Sequence, residues 1–204
     1  MKITDIVKAK STRYTVYVDD EYWYILDLEI IMQNHLKVGM EVDEDILDNI
    51  LSQAERRKAR ERAYYLLGYR DHSKQELYDK LLKSARSEIA LDIVQMVEEQ
   101  GLINDEAYAA KLAKYFLQQK KWGARRVLLE MHKKGIDKEM AQIAIDECDV
   151  DVVLQIKTII GKKYYDCLED YKGKQKMIAG LMRLGFSYDD IKRAIDIYNQ
   201  DNDE

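Results

Sequence analysis

The sequence predicts a mainly α-helical protein built from tandem three-helix repeats, with a small antiparallel β region at its N-terminus. Three observations support this fold class. The 204 residues include no proline, the residue that most readily breaks a helix interior. From Glu44 onward, apolar residues recur with the period of about 3.6 that marks amphipathic helices. This helical part also repeats itself at a spacing of 50 residues.

The first 45 residues are predicted to form the β region. Residues 13–18 (RYTVYV) are β-branched and aromatic and alternate with period two, which is typical of a strand. Asp19 and Asp20 predict a turn, and residues 21–26 and 3–10 are expected to supply two further strands. The surrounding residues are acidic, so we expect the tyrosines and Trp23 of this region to pack and not to bind bases.

Residues 46–103 are predicted to hold a linking helix and the first three-helix repeat. Ile46, Leu47, Ile50 and Leu51 fall on one face of this linking helix. The second repeat is expected at residues 104–149, and the third at residues 150–204, where the chain ends in an acidic tail.

Corresponding apolar residues define a buried stripe in the repeats. Leu77, Val127 and Met177 correspond, and so do Leu81, Met131 and Leu181 four residues later, as a single helix face requires. The first helices are expected near residues 57–68, 105–119 and 151–168. The second helices are expected near 74–84, 124–134 and 174–184, and the third near 88–100, 138–147 and 188–199.

Capping residues mark the predicted helix ends. The expected N-terminal caps are Ser73, Asn104 and Ser187. The residues expected to open the second helices are Ser73, Gly123 and Gly173. The glycines expected to end helices in a left-handed conformation are Gly101, Gly135 and Gly185. These glycines therefore predict structural stops and not a phosphate-binding loop.

No catalytic or metal-binding motif is recognisable in the sequence. It contains no HExxH, GxSxG or EF-hand pattern. Cys148 and Cys167 lie 19 positions apart, and the three histidines share no local motif. We therefore expect neither a zinc site nor a disulfide scaffold. The pattern favours a binding or regulatory protein over an enzyme.

Charge is segregated along the chain. The formal net charge is −5, yet residues 51–70 and 111–140 are locally basic. Such patches can meet phosphate or an acidic protein face, although the acidic average argues against coating nucleic acid throughout. No stretch is apolar enough to span a membrane, and the N-terminus does not resemble a secretory signal. We therefore expect a cytoplasmic protein with no membrane partner.

Four short motifs resemble the RecX regulatory family. Residues 70–81 (RDHSKQELYDKL) are similar to its R-x-[HR]-S-x-x-E-L-x-x-K-L signature, and residues 99–109 (EQGLINDEAYA) to its E-x-G-L-x-[DN]-D-x-x-[FY]-A stretch. Residues 123–127 (GARRV) and 134–136 (KGI) resemble its G-P-x-R-I and K-G-[IV] elements. Ala124 replaces the usual proline and Met131 a usual leucine, and neither change threatens the fold. The resemblance covers residues 58–147 well and the third repeat more loosely.

This resemblance implies a small helical regulator of the RecA recombinase that carries no known cofactor. Proteins of this family bind the RecA–DNA filament and restrain it, lowering ATP hydrolysis, strand exchange and co-protease activity. Their repeats resemble helix-turn-helix-like three-helix units, which in series predict an elongated chain. The expected partners are the RecA nucleoprotein filament and, weakly, single-stranded DNA. We expect a monomer, because a linear array of repeats does not need a second copy to complete its fold.

Basic residues are the candidates for contact with RecA or with DNA phosphate. They are Arg56, Arg57, Lys58, Arg60, Arg62, Arg125, Arg126, Lys133, Lys134, Lys172, Lys174 and Lys176. The second helix of each repeat begins at a basic run, and a helix N-terminus favours anions, so we also expect phosphate there.

Two other classes of function remain open. One is a helix-turn-helix DNA-binding protein that acts without RecA, which would need a recognition helix rich in Arg, Asn and Gln. The third helices, near residues 90–97 and 141–146, are acidic and apolar instead. The other is an enzyme with an unrecognised site, which would need a pocket with convergent polar groups.

Overall fold

The structure, a computed structural model, describes residues 1–168 and 170–202. These residues are mainly helical, with a three-stranded sheet at the N-terminus, so the predicted fold class is confirmed. The described chain divides into two compact units, one formed by Met1–Arg70 and Leu77–Leu102, the other by Asp71–Glu76 and the chain from Ile103 onward. The limits predicted for the sheet region and the repeats stay a prediction. Asp203 and Glu204, the last acids of the predicted acidic tail, lie outside the described residues.

Three antiparallel strands in sequence order form the sheet: β1 (Ile3–Lys8), β2 (Arg13–Val18) and β3 (Glu21–Asp27). Asp19 and Asp20 turn the chain between β2 and β3 with left-handed backbones, φ 50° and 68°, which suit the twist of a tight hairpin. One face of the sheet is buried, and Trp23 and Tyr24 pack against its core, as expected. Tyr22, by contrast, is 60% exposed.

Two helices follow the sheet. α1 (Leu28–Gln33) was not predicted. α2 (Glu44–Tyr69) joins the predicted linking helix to the first helix of repeat one in a single run of 26 residues. Asp43 caps it by accepting a hydrogen bond from the N–H of Ile46 over 2.8 Å. The run stays continuous because no glycine or proline interrupts it before Gly68.

The remaining helices confirm the predicted order of the repeats. They are α3 (Lys74–Leu81), α4 (Ser87–Glu99), α5 (Asp105–Lys114), α6 (Ala124–Lys133), α7 (Lys138–Asp146), α8 (Val152–Lys163), α9 (Tyr171–Arg183) and α10 (Tyr188–Asn202). A π-helical turn, Tyr115–Gln119, extends α5, and a 3-10 turn, Tyr165–Leu168, follows α8. One expected helix start is wrong: Asp170 caps α9 by accepting the N–H of Gly173, which therefore lies inside the helix.

The buried stripe predicted from the repeat is confirmed. Leu77, Val127 and Met177 are 0% exposed, and so are Leu81, Met131 and Leu181. The predicted stops are confirmed as well, since Gly101, Gly135 and Gly185 have φ of 72°, 79° and 95°. At Gly135 the next N–H, that of Ile136, reaches back to the carbonyl of Met131 over 3.1 Å.

A tight joint fixes the start of α3 to the turn that ends α6. The Ser73 hydroxyl donates to the backbone carbonyl of Lys134 over 2.5 Å, and its oxygen accepts the N–H of Glu76 over 3.0 Å. Gly135 lies so close that a Cβ there would come within 2.7 Å of the Ser73 oxygen. Only glycine fits this turn, because its backbone is left-handed and its Cβ position is filled.

The same joint recurs 50 residues later, between the start of α6 and the turn that ends α9. The N–H of Gly123 donates to the carbonyl of Leu184 over 2.8 Å, and the N–H of Arg125 donates to that of Gly185 over 3.3 Å. A Cβ on Gly185 would lie 2.5 Å from the backbone nitrogen of Arg126. The repeat therefore extends from sequence and secondary structure to the contacts that hold its helices together.

Candidate functional site

Two of the candidate arginines on α2 are already paired with carboxylates of their own unit. Arg56 contacts Asp92 on α4 over 2.7 Å. Arg57 donates to Glu29 and, over 3.2 Å, to Glu61. The hydrogen bond to Glu29 is the main cause that raises the pKa of the Arg57 guanidinium above its usual range, so this group stays charged. Both arginines therefore have carboxylate partners within the fold, which partly neutralise their charge.

The other three basic candidates on α2, Lys58, Arg60 and Arg62, are exposed. Lys58 and Arg62 share a helix face with Tyr65 and Tyr69, because these residues follow one another at spacings of four, three and four. We call these four residues the α2 stripe. Tyr65 is 67% exposed and Tyr69 is 83% exposed. The guanidinium of Arg62 lies 5.3 Å from the centre of the Tyr65 ring, within the range of a cation–π contact.

The two exposed tyrosines of this stripe were not singled out from the sequence. The signal was present, since aromatic residues follow a basic run at helical spacing on a single helix. Cations and exposed aromatic rings on one helix face are suited to phosphates and unpaired bases.

On α6 the two neighbouring arginines have different surroundings. Arg125 is exposed. Arg126 is half-buried, with its guanidinium 3.9 Å from the centre of the Trp122 ring. Trp122 in turn stacks on Phe116 with ring centres 4.9 Å apart and planes inclined by 12°. Arg126 is therefore the outer member of a stacked column, and Arg125 presents its charge to solvent.

The other basic candidates also differ in exposure. Lys133 is exposed and contacts Glu130 over 2.9 Å. Lys134 is half-buried and contributes its backbone carbonyl to the joint with Ser73. The lysines near the start of α9, which are all exposed, are Lys172, Lys174 and Lys176.

At the start of each second helix, a protein oxygen already accepts one of the N–H groups that an anion could use. At α3, the carboxylate of Asp105 accepts the N–H of Lys74 over 3.0 Å. At α6, the carbonyl of Gly185 accepts the N–H of Arg125. At α9, Asp170 accepts the N–H of Gly173 over 2.6 Å. These helix starts therefore offer fewer free N–H groups to an anion than the sequence suggests, and the expectation of phosphate there stays a prediction.

Metal-binding side chains and thiols were the candidates for chemistry in the described chain. Within residues 1–168 and 170–202, no cluster of three His, Cys, Asp or Glu side chains is arranged to hold a metal ion. Burial raises the pKa of the Cys148 thiol, which keeps it protonated at neutral pH. Over the same residues, no helix combines the length and apolar character needed to cross a membrane.

Three domain models of one family match the chain. The RecX N-terminal domain matches residues 1–43, the second three-helix domain matches residues 104–145, and the third matches residues 155–195. The first match covers the sheet and α1, and the other two cover most of α5–α7 and of α8–α10.

Curated relatives named Regulatory protein RecX align over most of the chain. The relative from Clostridioides difficile is 28% identical, with 92% of this chain and 90% of that one aligned. The relative from Caldanaerobacter subterraneus is also 28% identical, covering 97% and 100%. That from Bacillus subtilis is 26% identical, covering 97% and 76%.

Solved structures agree with this assignment. A crystal structure of regulatory protein RecX superposes with a TM-score of 0.67 at 24% identity, covering 96% of this chain and 98% of that one, and shows a shared fold. RecX from Lactobacillus salivarius superposes with a TM-score of 0.65 at 27% identity, covering 72% of this chain and 97% of that one. The chain therefore belongs to the RecX family of regulatory proteins.

Proposed function

We propose that this protein binds a RecA–DNA filament and restrains it, lowering ATP hydrolysis, strand exchange and co-protease activity. The observation that carries the proposal is the match to RecX domain models in the sheet region and in two of the three helical repeats. The aligned relatives are named regulatory proteins. RecA as the target follows from the family resemblance of the motifs at residues 70–81 and 99–109.

The exposed cations supply the contacts that this function needs. On the α2 stripe, Lys58 and Arg62 are placed to meet phosphates, while Tyr65 and Tyr69 offer faces on which bases can stack. Arg125 and the α9 lysines add charge on later repeats. Weak contacts made by linked repeats add up, because binding of one repeat raises the effective concentration of the next.

The first test is the ATPase activity of RecA on single-stranded DNA while this protein is titrated in. Inhibition well below one molecule per RecA protomer supports a regulator that caps or disassembles the filament. Inhibition only near one molecule per protomer supports coating along the filament. No inhibition, together with no co-sedimentation on filaments, overturns the proposal.

The second test measures direct contact with DNA by fluorescence anisotropy of a labelled oligothymidine. We expect Tyr65→Ala with Tyr69→Ala to weaken binding roughly tenfold or more, since one stacked base contributes about 1–3 kcal/mol. Tyr188→Ala is the matched control, because Tyr188 is 53% exposed but lies beside Asp189 and Asp190. Lys58→Gln with Arg62→Gln should also flatten the dependence of affinity on salt.

The same assay separates the proposal from a helix-turn-helix protein that acts alone. Sequence-blind binding that falls steeply with salt agrees with a filament regulator. Tight binding to one duplex sequence would favour the alternative. The acidic residues Asp92 on α4 and Glu139 on α7 are exposed, which is unfavourable for a recognition helix in the major groove.

A further inference from the structure

A groove of about 340 Å³ lies between α5 and α7 in the second repeat. Its apolar lining comes from Ala109 and Ala110 on α5 and from Met140 and Ile143 on α7. Small alanines on one wall leave room that larger side chains would fill. This volume lies at the lower end of the range of ligand pockets, about 300–1,000 Å³, so the groove has room for apolar side chains of another molecule.

Ile143 is both apolar and exposed, whereas its counterparts in the other repeats are either buried or charged. At the 50-residue spacing it corresponds to Ile93 in the first repeat and to Arg193 in the third. Ile93 is 2% exposed, whereas Ile143 is 53% exposed. Where the third repeat exposes this position, it carries a charged side chain. Among the three repeats, only the second presents a large apolar residue to solvent at this position. Burying Ile143 would therefore favour the binding of a partner.

The first and third repeats each have an ion pair between their first and third helices, and the second repeat differs in this respect. In the first repeat an ion pair, Arg56–Asp92, joins the first helix to the third. In the third repeat Lys157 and Asp201 do the same. Across residues 1–168 and 170–202, no ion pair spans α5 and α7.

The groove is instead bordered by carboxylates on both helices. They are Glu106, Asp137, Glu139 and Glu147. Asp137 already serves as the N-cap of α7, because its carboxylate accepts the N–H of Met140 over 2.9 Å. The three glutamates line the groove and make it negatively charged. This charge repels a phosphate backbone and attracts a cationic partner.

We propose that this groove binds a basic amphipathic helix of a partner protein. Apolar side chains of that helix enter between α5 and α7 and cover Ile143, and its lysines or arginines pair with Glu106, Glu139 and Glu147. Amphipathic helices bind apolar grooves in this way, with anchors spaced by three and four residues. This surface differs in charge and chemistry from the basic residues proposed to contact the filament, and the inference goes beyond the proposed function.

The test uses the full chain and a fluorescein-labelled peptide, LKKLLKLLKKLLKL, which places leucine on one helix face and lysine on the other. Binding is followed by anisotropy at low salt. We expect Ile143→Arg, which introduces the residue of the third repeat, to weaken binding roughly tenfold or more. Glu106→Gln, Glu139→Gln and Glu147→Gln together should weaken it by a similar factor and reduce its dependence on salt.

Matched controls separate this groove from general attraction between charges. Leu129→Arg changes another exposed aliphatic residue in the same repeat, and Glu21→Gln, Glu41→Gln and Glu44→Gln remove the same charge from the N-terminal region. Both controls should keep the affinity within about twofold, because neither touches the groove. The peptide LEELLELLEELLEL should not bind.

Equal losses in the groove and control variants overturn the proposal, and so does a failure of the basic peptide to bind. Circular dichroism of Ile143→Arg checks that the variant folds, and the triple glutamine variant tests the groove without adding a bulky side chain. The assay contains neither RecA nor DNA, so its outcome is independent of the proposed filament function.

Discussion

Ser73 donates its hydroxyl to the backbone carbonyl of Lys134 over 2.5 Å, although the two residues are 61 positions apart. The same oxygen accepts the N–H of Glu76, so a single side chain caps α3 and closes the joint to the turn after α6. Ser73 is 0% exposed. Removing the hydroxyl would leave the Lys134 carbonyl and the Glu76 N–H without this partner, and a polar group that loses its partner inside the fold is costly.

Ser73→Ala should therefore lower the free energy of unfolding by roughly 2–3 kcal/mol, the sum of a lost cap and an unsatisfied buried carbonyl. Urea denaturation followed by circular dichroism measures this. Ser84→Ala is the control, because Ser84 is exposed, and its effect should stay within about 0.5 kcal/mol. Equal effects of the two substitutions would show that the joint contributes little to stability.

Alanine should be tolerated very differently at two left-handed glycines. Gly101 has φ 72° and open space around its Cβ position, so Gly101→Ala should cost only the backbone strain, about 1–2 kcal/mol. Gly185 has φ 95°, and its Cβ would lie 2.5 Å from the backbone nitrogen of Arg126. Gly185→Ala should cost clearly more, because the joint between α6 and the turn after α9 must open. The same denaturation experiment compares them, and a cost no greater than that of Gly101→Ala would contradict the tight joint.

Asp190 should make stability depend on pH. The hydrogen bond from the Ser187 hydroxyl lowers the pKa of its carboxyl below the usual range, and Arg193 and Arg125 add to this effect. Because the pKa is lower in the folded chain than in the unfolded one, the carboxylate stabilises the fold fully above about pH 5. That stabilisation is lost as the pH falls through the unfolded and then the folded pKa.

Asp190→Asn should accordingly destabilise the protein more at pH 7 than at about pH 3, because most of the loss occurs once the pH has fallen below the ordinary pKa of an aspartate, about 4. Ser187→Ala should raise the pKa of Asp190 toward its usual value, which carbon-detected NMR of the carboxyl group can follow. The interpretation fails if Asp190→Asn has the same effect at both pH values.

Local patterns predicted much of the fold. The 50-residue spacing placed Leu77, Val127 and Met177 on a buried face, and all three are fully buried. The turn at Asp19 and Asp20 was also predictable, because these residue types tolerate left-handed backbones. In each case a few neighbouring residues determine the outcome, so the pattern can be read without knowing the rest of the chain.

Features set by distant residues were not predictable. α1 is only six residues long, and its isoleucines are as typical of a strand as of a helix. The ion pair of Arg56 with Asp92 joins residues 36 positions apart, so the basic run gave no sign that it was partly neutralised. The start of α6 looked open to phosphate because nothing nearby in sequence shows that Gly185 covers it.

The sequence makes Arg125 and Arg126 equal candidates for contact with the filament, but the structure separates them. Arg125 is exposed, so Arg125→Glu should weaken binding to RecA–DNA filaments at low salt, by roughly tenfold if it meets phosphate or an acidic face. Its free energy of unfolding should fall by no more than about 1 kcal/mol, because the exposed charge reversal replaces a favourable interaction with Asp190 by a like-charge one. Co-sedimentation with filaments and urea denaturation measure the two quantities on the same protein.

Arg126 should behave in the opposite way. Its guanidinium covers the Trp122 ring at 3.9 Å, so Arg126→Ala should cost about 1–2 kcal/mol of stability through the lost stacking and packing. Arg126→Lys is the matched control for charge, because it keeps the cation but removes the planar group that stacks on the indole. If Arg125→Glu binds filaments as the unchanged protein does, Arg125 is not a contact residue, and the remaining exposed candidates are the α2 stripe, Arg60, Lys133 and the lysines of α9.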